Sequence, residues 1–345
     1  MEEAMKPKAR NAGIDYFRLI AAFLVVAVHT SPLTSVDGTA DFVLTRIVAR
    51  VAVPFFFMVS GFFLLPGYMN GPDTGPGKLY KFLQKTAMLY GITILLYLPI
   101  NLYAGYFQTQ LLLPNLIKDI VFDGTFYHLW YFPAAITGAT LVCLLLKKFR
   151  YEHVFQITLL LYLIGLFGDS YYGITEQIYF LKSFYDVIFL FCDYTRNGLF
   201  FAPVFFMLGG IIAGQSRPYP AKECWLGLSV SLTLMLAEGL CLHGFDLQRH
   251  DSMYFMLLPC MFFLFQSLLL WKGQGNKSLR DISVIIYLLH PFMIVLVRGL
   301  AKAIQLQEIM VGNSVVHYLA VAVCSAIAAI AITVALERKG QGEWL

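Results

Sequence analysis

Apolar residues along the chain fall into long runs broken by short polar or Gly- and Pro-rich stretches. Ten runs stand out, at 14–33, 43–65, 82–104, 127–147, 153–169, 195–214, 223–243, 253–271, 282–303 and 315–336. Each is near the ~20 residues a helix needs to cross a hydrocarbon core of ~30 Å. Hydrocarbon offers no hydrogen-bond partners, and a helix satisfies its backbone within one segment. The pattern predicts an all-α fold, a polytopic membrane helix bundle with about ten transmembrane helices. A weaker run at 178–191 contains Lys182 and Asp186 and reads as an interfacial amphipathic piece within an outer loop, 170–194. The Gly- and Pro-rich loop 67–77 is expected to be irregular, and 105–126 to lie over the outer face.

Charge placement sets the orientation. With the N-terminus inside, the inner segments hold Lys6, Lys8, Arg10, Lys78, Lys81, Lys147, Lys148, Arg150, Arg217, Lys222, Lys272, Lys277, Arg280, Arg338 and Lys339. The outer loops hold Lys118, Lys182 and Arg249. Fifteen basic residues against three follow the positive-inside rule. Both termini are therefore expected to be cytoplasmic, with a tail at 1–13, a transmembrane domain at 14–336 and a second tail at 337–345.

Composition agrees. Hydrophobic residues make up 59% of the 345 and charged ones 13%, against about 45–50% and about 25% in soluble domains. Lipid must therefore solvate much of the surface. The net charge of +4 is modest and its basic residues sit in short loops, which argues against a nucleic-acid partner. The six cysteines form no C-x-x-C pair, and most read as small buried thiols. Metal-ligand spacing, a phosphate-binding Gly loop and a Ser nucleophile elbow are all missing from the sequence, so no metal is expected. The first apolar run lacks a convincing cleavage site and reads as a retained helix.

Ionisable groups inside spans are costly and mark candidate sites. The first run carries Asp15, Arg18 and His29. Arg18 and His29 are eleven residues apart, within about 20° of whole turns and about 16 Å along the axis. Asp15 lies about one turn below Arg18 on nearly the same stripe. Such a stripe can line a path through the membrane. Arg18 suits a phosphate or carboxylate, and His29 can take a proton from a hydroxyl. A buried Arg–Asp pair with an interhelical histidine is the structural alternative.

The second run opens with Arg46 and Arg50 at i, i+4, and then carries Pro54, Ser60 and Gly61. Pro54 can kink the helix; Ser60-Gly61 permits close helix approach; Arg50 suits an anion or an acid such as Asp193. His128 and Trp130 open the fourth run, where an aromatic belt is the ordinary reading, and His128 is a candidate neighbour of His29. Asp193 and Arg196 precede the sixth run. Glu238 is the most isolated membrane carboxylate, with a neutral, merely hydrogen-bonded side chain as the structural alternative. Tyr287 and His290 share a face at i, i+3 before Pro291. His243, His250 and Asp251 read as solvated in an outer loop.

This set resembles the acyltransferase-3 family of membrane proteins over nearly the whole chain. Asp15, Arg18 and His29 match its Asp-x-x-Arg motif followed by ten residues and His. Pro54 to Phe62 matches the family's Phe-Phe-x-x-Ser-Gly-Phe signature; His128-Leu129-Trp130-Tyr131 and Tyr287-Leu288-Leu289-His290-Pro291 match later signatures. Within the family the chain is similar to the membrane half of vancomycin-resistance-type serine/alanine racemases. Tyr162-Leu163-Ile164-Gly165, Thr195-Arg196-Asn197-Gly198, Leu242-His243-Gly244-Phe245 and His250-Asp251-Ser252-Met253-Tyr254 carry that likeness.

The resemblance implies transfer of an acetyl or acyl group from cytoplasmic acetyl-CoA to a hydroxyl of a small-molecule or glycan acceptor of the cell envelope. His29 would be the base and Arg18, beside Asp15, the donor-binding residue. Arg50, Ser60, His128, Trp130, Asp193, Arg196, Glu238, Tyr287 and His290 would line substrate. Lys81 and Lys85 stand on the donor side where the family often has arginines, and lysine lacks the bidentate fork. The resemblance also implies the bacterial cytoplasmic membrane and a racemase domain, fused after residue 345 or acting as a partner. A second reading is a delivery module that supplies L-serine to such a racemase; a third is a membrane anchor.

Overall fold

The structure is a computed structural model that describes residues 11–69, 75–108, 112–215, 219–271 and 273–338. Among these residues no strand forms. Eleven helices have at least 13 residues: α1 (Ala12–Thr30), α2 (Ala52–Leu64), α3 (Gly75–Tyr103), α4 (Tyr131–Leu146), α5 (Tyr151–Phe167), α6 (Tyr179–Phe191), α7 (Ala202–Gly214), α8 (Ala221–Gly244), α9 (Leu257–Leu269), α10 (Lys277–Ala303) and α11 (Ser314–Arg338). All but α6 fall on the ten apolar runs. The amphipathic piece expected at 178–191 is α6, in which Tyr185 is the buried residue.

Among the described residues, six segments are long and apolar enough to cross a membrane: Ala12–Thr30, Gly38–Tyr68, Pro76–Tyr103, Ala221–Gly244, Lys277–Ala303 and Ser314–Arg338. The protein is thus a multi-pass membrane protein. The helices α4, α5, α7 and α9 are shorter, at 13–17 residues. A 13-residue helix covers about 20 Å, short of a hydrocarbon core.

The missing length of two short helices lies in hydrogen-bonded irregular backbone. Before α7, the Asn197 side chain accepts the N–H groups of Leu199 and Phe200 and donates to the Tyr194 carbonyl. An amide that pairs with its own backbone competes with the helix. Before α9, carboxylates take the N–H groups of residues 252, 253, 255 and 256. Backbone of this kind is tolerated at membrane depth where protein buries it, and Thr195, Asn197, Ser252, Met253 and Tyr254 are buried.

Three local expectations need correction. Arg46 lies in a wide π turn, Val43–Ile47, and Arg50 in a tight 3-10 turn, Val48–Val51, so the two do not share a regular helical face. Pro54 has no N–H for the Arg50 carbonyl, which places the irregularity upstream of α2 rather than as a kink within it. Pro66–Met69 is a helical turn and α3 begins at Gly75, so the irregular loop expected at 67–77 rests on residues 70–74, outside the described residues. The stretch 105–126 holds a helix at Leu112–Lys118 and a wide turn at Asp119–Asp123. Lys6, Lys8, Arg10, Arg217, Lys272 and Lys339 also lie outside the described residues.

The chain forms two compact units. The first comprises Met1–Phe55, Arg217–Leu236 and Pro259–Leu345; the second comprises Phe56–Ser216 and Ala237–Leu258. In the first, α1, α10 and α11 bury Ala22, Val26, Ile285, Ile286, Ile294, Val297, Val321 and Ala329 together. Tyr16 stacks on Trp271 with ring centroids 5.3 Å apart. In the second, Gly61 faces the Phe206 backbone and Gly209 the Met58 backbone, where added Cβ atoms would overlap carbonyls. Small residues let membrane helices approach this closely, as expected for Ser60-Gly61.

Candidate functional site

In the first unit the site begins at α1. Asn11 caps the helix by accepting the Ile14 N–H, and α1 runs unbroken to Thr30, so Arg18 and His29 keep the shared stripe. Arg18 Nε lies 3.7 Å from Asp15 Oδ1, with side chains only 13% and 14% exposed. His29 sits in the last turn, which Ser31 closes in the left-handed region at φ 47°. Its ring stacks on His290 of α10, centroids 5.2 Å apart and planes 25° apart. His290 is fully buried, and its Nδ1 lies 2.8 Å from the Tyr287 carbonyl oxygen. The structure therefore brings together Asp15 with Arg18, and His29 with Tyr287 and His290.

Such a pair of rings can handle a proton. A neutral imidazole accepts one from a hydroxyl near neutral pH. A guanidinium held by a carboxylate on the same stripe can orient an oxygen-rich group.

In the second unit Arg196 is the centre of a polar cluster. Its guanidinium lies over Tyr194 at 4.3 Å and Trp130 at 5.2 Å, and donates to Ser252 Oγ at 3.3 Å. His250 is half-buried and packs on Tyr194, centroids 4.3 Å apart. Asp169 is fully buried nearby; its Oδ1 accepts from Ser170 Oγ and from the N–H groups of Ser252 and Met253. The sequence reading missed Asp169. Its signal was a polar Gly168-Asp169-Ser170 at the end of an apolar run.

Glu238 is not isolated. Its carboxylate accepts from Tyr171 hydroxyl at 2.8 Å and from the N–H groups of Phe255 at 2.6 Å and Met256 at 2.9 Å. Burial and the neighbouring Glu238 push the Tyr171 hydroxyl well above the usual tyrosine range, so it stays a donor. This arrangement pins the backbone that precedes α9.

Asp193 pairs with Lys118 at 2.6 Å. Its N–H donates to Asp123 Oδ2 at 2.8 Å. Asp119, Asp123 and Asp193 bring carboxylate oxygens within 4.8 Å of one another. Burial raises the Asp123 carboxyl to about 6, and burial also raises Asp119. Lys118 is raised by its hydrogen bond and charge attraction to Asp193, against the opposing effect of burial. His128 is buried against Tyr97 and Phe126, centroids 5.0 and 5.8 Å away. His29, its expected neighbour, belongs to the first unit. Ser60 donates to the Phe56 carbonyl at 2.9 Å, a packing role. On α3, Lys81 is exposed and Lys85 half-buried.

A family model described as an acyltransferase domain, of the acyltransferase-3 type, matches residues 11–338. The chain belongs to the acyltransferase-3 family. Acyltransferase-3 resemblance had rested on four short motifs, and the match now spans every described helix. Two Enterococcus faecalis proteins named amino-acid racemase are 50% and 42% identical to the chain over 94% and 93% of its length. A serine/alanine racemase of Enterococcus gallinarum is 38% identical over 90% of it. The chain spans less than half of these relatives, 44–46% of their lengths. No solved structure matches it.

Proposed function

We propose that this acyltransferase-3 family member is a membrane-bound O-acyltransferase. It moves an acetyl or other acyl group from cytoplasmic acyl-CoA to a hydroxyl of a cell-envelope acceptor, in the bacterial cytoplasmic membrane, with both termini inside. The observation that carries this reading is the α1 stripe, with the Asp15–Arg18 pair and the His29 imidazole stacked on a second, buried imidazole. His29 accepts the hydroxyl proton as the acceptor oxygen bonds to the acyl carbon, and passes it to the departing thiolate sulfur. Arg18 holds the donor, and Asp15 holds Arg18. Acyl-CoA supplies the activated acyl group when bound.

The relatives' names favour a second reading, delivery of L-serine or another amino acid to a racemase domain, fused or separate. Arg196, flanked by Trp130 and Tyr194, suits the carboxylate of such a substrate. Proteoliposomes loaded with labelled acetyl-CoA separate the two readings. Label appearing in an external hydroxyl acceptor supports acyl transfer. Serine uptake that ignores acetyl-CoA, with no label transferred, supports delivery and overturns acyl transfer.

A further inference from the structure

We infer that His290 is a positioning residue for His29, locked in one tautomer by a carbonyl that Pro291 deprives of its helical donor. The inference rests on the reading of His29 as base.

In an α-helix the N–H of residue 291 would donate to the carbonyl of residue 287. Proline has no N–H, yet α10 continues as helix from Lys277 to Ala303 with Pro291 inside it. Tyr287 is buried, where an unmet backbone acceptor is costly. The His290 ring supplies the replacement, its Nδ1 2.8 Å from that oxygen. A carbonyl oxygen only accepts, so Nδ1 carries the hydrogen. A neutral His290 then keeps its lone pair on Nε2.

This bond fixes both the plane and the tautomer of a fully buried ring. His29 lies against it, centroids 5.2 Å apart and planes 25° apart. The face of His290 thus limits the rotation of the His29 side chain. The same chain of contacts explains why Tyr287, His290 and Pro291 stand at these spacings: proline frees the acceptor, histidine meets it, and the stacked face orients the base. His290 acts through His29 and need not touch the substrate.

Histidine-labelled protein in nanodiscs tests this by ¹⁵N NMR, with His29 signals assigned from their loss in His29→Ala. His290→Ala and Pro291→Ala are compared with wild type, each checked for a cooperative thermal melt. Pro291→Ala returns an N–H to the Tyr287 carbonyl and competes with His290 without removing its ring. Both variants are expected to shift the His29 ring signals. In transfer assays, His290→Ala is expected to lower kcat about 100-fold, the cost of a misplaced reacting group, with donor KM changed less than about threefold. Unchanged His29 signals in a folded variant overturn the inference, whatever the activity. Full activity of His29→Ala would instead overturn the base assignment while the NMR comparison still reads the contact.

Discussion

Asp169 and Met253 are 84 residues apart in the chain, yet Asp169 Oδ1 accepts the Met253 N–H at 3.1 Å and the Ser252 N–H at 2.7 Å. The bond holds irregular backbone that would otherwise bury unpaired donors. Asp169→Ala strands both N–H groups and should cost about 3 kcal/mol. Asp169→Asn keeps an acceptor oxygen and should cost less. Thermal melts of the purified protein check the order, and equal melts for both variants would remove the assigned role.

Glu238 plays the same part for Phe255 and Met256. Glu238→Gln retains a carbonyl acceptor and is expected to leave acyl transfer within about threefold, whereas Glu238→Ala lowers the melting temperature, a change of about 1–3 kcal/mol for each unmet donor. If amino-acid delivery were the activity and needed the charge, Glu238→Gln would abolish uptake in a protein of wild-type stability.

Close helix contact in the second unit depends on absent side chains. Gly61→Ala places a Cβ against the Phe206 carbonyl, and Gly209→Ala one against that of Met58. Overpacking of this sort costs about 1–3 kcal/mol. Each variant should melt earlier than wild type, and a substitution at Gly244, which has open space around its Cβ position, should not.

The Asp123 carboxyl, raised by burial to about 6, gives the stretch 119–124 a pH dependence. Its folded pKa exceeds the unfolded value of 3.8, so the folded form binds more protons between these values. Stability of this stretch then falls as pH rises from about 4 to about 6. Hydrogen exchange, corrected for intrinsic rates, should show slower opening at pH 5 than at pH 7.5. Asp123→Asn should flatten the difference.

Ten helices and the amphipathic α6 were legible because lipid forces apolar residues into runs of helix length. The Arg18–His29 stripe was legible because α1 has no break. What stayed hidden has physical causes. Hydropathy does not register where a side chain diverts backbone hydrogen bonds, so the runs at 195–214 and 253–271 read as helix through Asn197 and Met253. A single carboxylate looks isolated in a linear reading, although Glu238 meets donors from segments 67 and 17 residues away. The stacking of His29 on His290 joins residues 261 positions apart, and spacing along one helix carries no trace of it.

The central claim is that His29 removes the acceptor's proton. It is tested most directly by the rate of label transfer from acetyl-CoA for wild type and His29→Ala, both reconstituted and shown to be folded. A fall of at least about 100-fold, the scale of general base catalysis, with donor binding retained is the predicted result. A folded His29→Ala that transfers acetyl at the wild-type rate would contradict it.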